Sequence, residues 1–291
     1  MRIEAADATL GAVVQDVDVR DLDDIGFAEI QAAWFEYGVL AFKGQQLDDD
    51  SQIAFSERFG ALERLLTSSI KGARPEIFYV SNVGLDGEFD KSGDSRDLFN
   101  KGNQLWHTDS SFKRVAAKGS MLRAVVLPDS GGQTEFADMR AAYDTLEDER
   151  KAWLEDKVAV HSYRYSQGQI GGLDLMSAEE LDAIPPVEHR IVKTHPDSGR
   201  KLLYIGRHAS HIIGEDVEAS RALLNQMCED ACQAPRIYAH QWAPGDVVLW
   251  DNRCVLHRAR PWPVDQKRDM RRTTIAGDQT GNEWAMDSAA E

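Results

Sequence analysis

The apolar positions along this chain change period often, and those changes outline its elements. Leu10, Val13, Val14, Val17 and Val19 fall in an alternating stretch that predicts strands before residue 20. Phe27, Ile30, Trp34 and Tyr37 recur near helical spacing and predict a helix over 25–37, with a short apolar strand at 39–42 behind it. The Asp48-Asp49-Asp50 run supplies N-cap carboxylates for a second helix, which carries Ile53, Phe55 and Phe59 and closes at Gly60.

Residues 77–83 read as a strand. Residues 84–102 are polar and glycine-containing, and so long a loop is uncommon unless it covers a site, so this stretch predicts a lid. Strands are expected at 121–127 and 133–136, with a turn at 128–132 between them and a helix around 139–146. Further strands follow at 158–163, 190–194, 202–205, 237–241, 247–250 and 271–275, and one helix, at 217–228, interrupts them. Many short strands without regular crossover helices predict a mostly β fold with peripheral helices. Its expected core is a double-stranded β-helix (jelly-roll), in one domain over residues 1–291.

Composition narrows the partners. Forty-nine acidic against 33 basic side chains give a formal charge of −16, which argues against nucleic acid or a membrane surface. The N-terminus lacks a basic region followed by an apolar stretch, and no run approaches the roughly 20 apolar residues a bilayer requires. A cytoplasmic protein is expected. Cys228, Cys232 and Cys254 match neither a disulfide framework nor a zinc cluster. In so acidic a chain, an anionic ligand must be held by local arginines.

Candidate chemistry centres on His107-Thr108-Asp109. In an extended segment, side chains at i and i+2 leave on one face, so imidazole and carboxylate can converge on one ion. A lone His-x-Asp is equally served by a histidine donating to its neighbour. His257, on an expected late strand, supplies a third ligand. Two nitrogens and one carboxylate leave three positions of an octahedral Fe(II) open. Arg268 and Arg272 follow His257 closely enough for a return strand to bring their guanidiniums to the ion.

Four blocks carry a resemblance. They are Asn103-Gln104-Leu105-Trp106-His107-Thr108-Asp109-Ser110-Ser111-Phe112, the Gly131–Tyr143 segment, Ile205-Gly206-Arg207-His208-Ala209-Ser210-His211, and Trp250-Asp251-Asn252-Arg253-Cys254-Val255-Leu256-His257-Arg258. In order and spacing they resemble the taurine/2,4-dichlorophenoxyacetate dioxygenase family over about residues 10–277, most closely its phenoxyalkanoate branch. The resemblance implies Fe(2+) as cofactor, with 2-oxoglutarate and O2 as co-substrates. His107, Asp109 and His257 would bind the metal, Thr134 and Arg268 the distal carboxylate of 2-oxoglutarate. Arg272 would face the organic substrate or share the anionic pocket, and Asn103, Ser111, His211 and Lys71 are further substrate candidates. Arg271 would point away to solvent, while His161, His189, His195 and His240 would satisfy polar neighbours.

The implied reaction is hydroxylation of a small organic acid, an aryloxyalkanoate such as 2,4-dichlorophenoxyacetate, with ether cleavage to a phenol and an oxo acid. Alternatives are a taurine or other sulfonate dioxygenase, and a metal-dependent binding protein without turnover. Related enzymes form homo-oligomers, and the same is expected here. Asp109 argues against halogenation, which requires that carboxylate position to be vacated for halide.

Overall fold

The computed structural model describes residues 1–64, 73–89 and 94–278. Two strands, β1 (Arg2–Ala5) and β2 (Ala12–Gln15), lead through a 3-10 turn at Val19–Asp21 into α1 (Asp24–Tyr37) and β3 (Val39–Phe42). Asp23 caps α1 by accepting from the Gly26 N–H at 2.8 Å. Gly38, at φ +72°, ends it where a side chain would be strained. Helix α2 (Asp49–Glu57) starts with a capping box between Asp48 and Ser51. Strand β4 (Phe78–Ser81) and α3 (Asp94–Asn103) follow.

Next come β5 (Gly119–Val126), β6 (Thr134–Asp138), α4 (Met139–Asp144), α5 (Asp148–Leu154), β7 (Val158–His161), α6 (Tyr163–Gly168) and α7 (Ala178–Asp182). The chain then forms β8 (Val187–Arg190), β9 (Val192–Thr194), β10 (Lys201–Leu203), β11 (Ala209–Ile212) and α8 (Val217–Ala231). It closes with β12 (Ile237–His240), β13 (Val247–Asp251), β14 (Val255–Ala259) and β15 (Asp269–Ile275). Among the described residues no helix is long and apolar enough to cross a membrane.

A seven-stranded sheet, ordered β1-β2-β3-β13-β5-β15-β4, is the frame, and three smaller sheets join it: β12-β6-β14, β11-β7-β8 and β10-β9. The central strands separate two cores by the period-2 alternation of a strand. Leu40, Phe42, Met121, Val247, Leu249 and Ile275 pack with Ile30, Trp34, Phe55 and Phe59 beneath α1 and α2. Their neighbours Val39, Ala41, Leu122, Ala124, Val248 and Trp250 face the other way, onto Phe136, Ala137, Val255 and Leu256 of the β12-β6-β14 sheet. Strand β13 is buried on both faces, which is why its sequence is a continuous apolar run. Met270 and Arg272 share one parity along β15 and fall on the inner face, where Arg268, just before the strand, also lies; Arg271 takes the other.

Several expectations need correction. The architecture is mixed α/β, and the described strands form separate sheets without closing into a barrel. Three helices, α5 to α7, fall between 148 and 182, where no helix was expected; they are short, and each buries only one residue, too little to imprint a period. The 84–102 stretch is not one loop: its second half is α3, which delivers Asn103 toward the His107 segment. Residues 90–93 of it lie outside the described residues. Val19 lies in a 3-10 turn rather than a strand.

Candidate active site

His107 and His257, 150 positions apart, are joined through their backbones. The His107 N–H donates to the His257 carbonyl at 3.1 Å, and the His257 N–H returns to the His107 carbonyl at 2.7 Å. This reciprocal pair is an isolated bridge, not a strand on the His107 side. It sets the two rings 4.2 Å apart between centroids. His257 itself sits in β14, where its neighbour across the ladder is Phe136.

After His107 the chain turns sharply, with Ser110 at φ +61° and the Lys113 N–H closing on its carbonyl. Asn252 holds the turn. Its carbonyl accepts from Thr108 Oγ1 at 2.6 Å. Its side-chain oxygen accepts from the Asp109 N–H at 3.3 Å and from Trp250 Nε1 at 2.8 Å, and its amide donates to Ser120 Oγ. Ser120 in turn donates to Asp109 Oδ2 at 2.7 Å, and Arg272 Nη1 to Asp109 Oδ1 at 2.6 Å. Both carboxylate oxygens are thereby oriented before any ligand arrives.

One donor atom from each of His107, Asp109 and His257 lies within 4.8 Å of the other two, and all three residues are buried. Their protonation suits a cation. Burial opposes ionisation of Asp109, yet Arg272, His257 and His107 outweigh it and hold the carboxyl well below its usual range. Burial lowers His257 to about 4 and takes His107 well below the ordinary imidazole value, so both rings are neutral at pH 7. Nδ1 of His107 is bonded to the Leu105 carbonyl at 2.7 Å, which leaves Nε2 for a metal. The donor set therefore fits Fe(II).

A second cluster, His195, Asp251 and Cys254, is equally compact but already satisfied. His195 Nδ1 accepts from the Ser198 N–H at 3.1 Å, so its Nε2 carries the proton donated to Asp251 at 3.0 Å. Arg253 also pairs with Asp251, and burial pushes the Cys254 thiol up. It pins β13 rather than binding a metal.

Two cavities meet at the triad. The larger, about 390 Å³, is lined by His107, Asp109 and Arg272 and by the apolar side chains of Phe78, Leu98, Phe112, Ile170, Leu175 and Met176. The smaller, about 40 Å³, lies between the two sheets beside His257 and contains Thr134 and Arg268. Asn103 lines both. Arg268 is 1% exposed, stands over the Trp262 ring at 4.8 Å, and has no partner for its Nε. Thr134 Oγ1 accepts from Trp242 Nε1 at 3.1 Å, which turns the hydroxyl proton free.

The other expected residues scatter. Ser111 sits behind the cavity, its carbonyl bonded to His189 Nε2 at 2.9 Å and its hydroxyl near His161 Nδ1; Ser110 faces the space instead. His211 lines neither cavity: it lies on β11 with Nδ1 at 2.9 Å from Ser210 Oγ, and the wall from that block is Arg207 and His208. Arg271 does point away from the cavities, but it is paired with Asp269 and Asp49 rather than solvated. Lys71 lies outside the described residues. Sequence reasoning missed Asn252, Ser120 and Arg207 as contributors. The first and last stood inside the quoted blocks, while nothing local distinguishes Ser120.

The comparisons with known proteins agree with this geometry. Residues 2–274 match the family described as taurine catabolism dioxygenase TauD, TfdA family. A (S)-phenoxypropionate/alpha-ketoglutarate-dioxygenase of Sphingobium herbicidovorans is 48% identical over 283 residues, covering 95% of each chain. An alpha-ketoglutarate-dependent 2,4-dichlorophenoxyacetate dioxygenase of Cupriavidus pinatubonensis is 44% identical, covering 92% of this chain and 94% of that one. The crystal structure of AAD-2 in complex with Mn(II) and N-oxalylglycine superposes with a TM-score of 0.87 at 40% identity, over 96% of this chain and 99% of that one. The chain belongs to the TauD, TfdA family of dioxygenases.

Proposed function

We propose that this Fe(II)- and 2-oxoglutarate-dependent dioxygenase oxidises a small aryloxyalkanoic acid at the carbon bearing the ether oxygen. The observation that carries the reading is the division of space at the triad. A narrow cavity with a buried arginine suits the far carboxylate of a dicarboxylate that reaches in from the triad, and a larger cavity walled by apolar side chains fits an aromatic ring. The relatives named for phenoxypropionate and 2,4-dichlorophenoxyacetate support the same class.

In this reading His107, Asp109 and His257 hold the iron, and Arg268 with Thr134 takes the distal carboxylate of 2-oxoglutarate. When bound, the metal with 2-oxoglutarate and O2 supplies the oxidant for a C–H bond, and the co-substrate leaves as succinate and carbon dioxide. The protein's part is to orient and exclude. Ser120 and Arg272 fix the Asp109 carboxylate, and the apolar wall aligns the ring so that the carbon between ether and carboxylate meets the site. Hydroxylation there yields a hemiacetal, which collapses to a phenol and an oxo acid.

The two sheets that meet across Phe136 and Trp250, 5.5 Å between centroids, support a double-stranded β-helix as the organising core. That the first and last strands share one sheet supports a single domain over 1–291, and the α3 residues in the cavity wall support a cover over the site. The acidic surface and free cysteines support a cytoplasmic enzyme, and the family resemblance a homo-oligomer.

The test is turnover with Fe(II) and 2-oxoglutarate across phenoxyacetates, both enantiomers of phenoxypropionates and taurine, reading succinate, phenol and sulfite. Phenol from an aryloxy acid is expected. Sulfite from taurine without phenol from any aryloxy acid reverses the substrate class, and no ligand-dependent succinate leaves only a binding protein.

A further inference from the structure

The larger cavity holds a cation that no side chain among the described residues answers. Two guanidiniums line it, Arg207 and Arg272. Arg272 is engaged, with Nη1 at 2.6 Å from Asp109 Oδ1. Arg207 makes no ion pair or side-chain hydrogen bond among the described residues, and its Nε is buried without a partner. Leaving a half-buried cation unpaired is costly, and burial lowers its pKa to about 10. The chain nevertheless fixes it in place.

Its backbone is tied beside the metal ligands. The Arg207 N–H donates to the Trp106 carbonyl at 2.9 Å, one residue before His107, and its own carbonyl accepts from Gln169. Gly206, at φ +132°, takes a backbone conformation that residues with a side chain rarely adopt, and a Cβ there would press on Leu256 Cδ2 at 3.2 Å. The guanidinium then rests against Gly102 on α3, where any Cβ would overlap Nη1. A bare glycine surface and a tethered backbone present this cation to the cavity.

We propose that Arg207 receives the carboxylate of the organic substrate and so selects an anionic aryloxyalkanoate over neutral counterparts. The inference rests on the substrate class proposed above. Chemistry favours the position: the carbon to be oxidised is bonded directly to the carboxylate, so the anchor must lie next to the metal ligands, with the ring extending outward to Phe112, Ile170 and Leu175. It moves the substrate's anion from Arg272, where the family resemblance put it, to Arg207; Arg272 then serves as a positioning residue for Asp109.

The test compares phenoxyacetate with phenoxyacetamide, reading phenol release, in the wild type, Arg207→Gln and Gly102→Ala. Wild type should prefer the acid. Arg207→Gln should lose about 100-fold in kcat/KM for the acid, with the amide changing by less than about threefold. Binding of 2-oxoglutarate with Mn(II), measured without organic substrate, should stay within about threefold. Gly102→Ala keeps the charge but displaces it, and should reproduce the loss for the acid. Undiminished preference for the acid in Arg207→Gln, or an equal loss of 2-oxoglutarate affinity, overturns the proposal. Absence of phenol from any aryloxyalkanoate with wild type overturns the substrate class itself, a result separate from the variants.

Discussion

Replacing Arg268 by Met should leave the ligand-free enzyme as stable as before, or more stable, while removing its grip on 2-oxoglutarate. The guanidinium is 1% exposed, its Nε has no partner, and Nη2 reaches only the Gly132 carbonyl at 3.3 Å. Burial lowers its pKa from 12.5 to about 10, opposed by Asp269. At about 1.36 kcal/mol for each tenfold, that drop of about 2.5 corresponds to roughly 3 kcal/mol against the folded state. A folded-state value below the unfolded one makes this cost present at all pH below about 10 and relieved only as pH rises toward 12.5. Met keeps much of the volume and removes the charge. The lost contact with Trp262 and the weak Gly132 bond offset part of the gain.

The ligand side has the opposite sign. At 100 times its Kd, 2-oxoglutarate should stabilise the wild type by about 2.7 kcal/mol, or roughly 5–10 °C in a chain of this size. Removing one partner of a buried charge pair costs about 2–5 kcal/mol, so Kd should rise about 100-fold or more. At the same ligand concentration, stabilisation then falls to about 0.4 kcal/mol. The assay is thermal unfolding under anaerobic conditions with Mn(II), with and without 2-oxoglutarate, backed by titration calorimetry. A variant that melts several degrees lower without ligand yet keeps the wild-type ligand shift would refute the reasoning.

Three further outcomes are expected. Asp109→Asn, which keeps shape but removes charge, should weaken Fe(II) binding by at least about 100-fold, because the triad loses its only anion; titration with metal would show unchanged affinity if the assignment were wrong. Stability of the metal-free protein should fall as pH drops from about 6.5 toward 4, since His257 (about 4), His208 (about 3), His107 and His161 are buried neutral and take up protons on unfolding. Denaturant midpoints independent of pH across that window would contradict this. Gly131→Ala should destabilise by about 1–3 kcal/mol or more and weaken 2-oxoglutarate binding. The glycine sits at φ +75° with the Pro261 carbonyl where its Cβ would be, beside the Gly132 wall of Arg268; an unchanged melt would refute that account.

Much of the frame was legible because its elements carry strong local marks. The α1 helix, β3, the Asp48 cap and β13 all lie within a residue or two of where the apolar period and capping residues put them. The helices at 148–182 were not, because elements that bury one or two side chains leave no period to read. Strand β11 has no apolar period of its own to mark it, although its first residue pairs with β7 and it continues past a bulge.

For the site, residue types and their spacing nominated His107, Asp109 and His257 and put Arg268 within reach of them, and the family resemblance added Thr134 and the co-substrate role of Arg268. Tertiary structure decided what depends on direction. Ser110 rather than Ser111 faces the cavity because the backbone turns through φ +61° there, and Arg207 rather than His211 reaches it because Arg207 is tied to the Trp106 carbonyl before β11 carries His211 along β7. Arg272 is tied to Asp109 by a 2.6 Å contact between residues 163 apart in sequence. Sequence determines which groups are available; only the packing of the sheets decides which of those charges is already satisfied and which is left for a ligand.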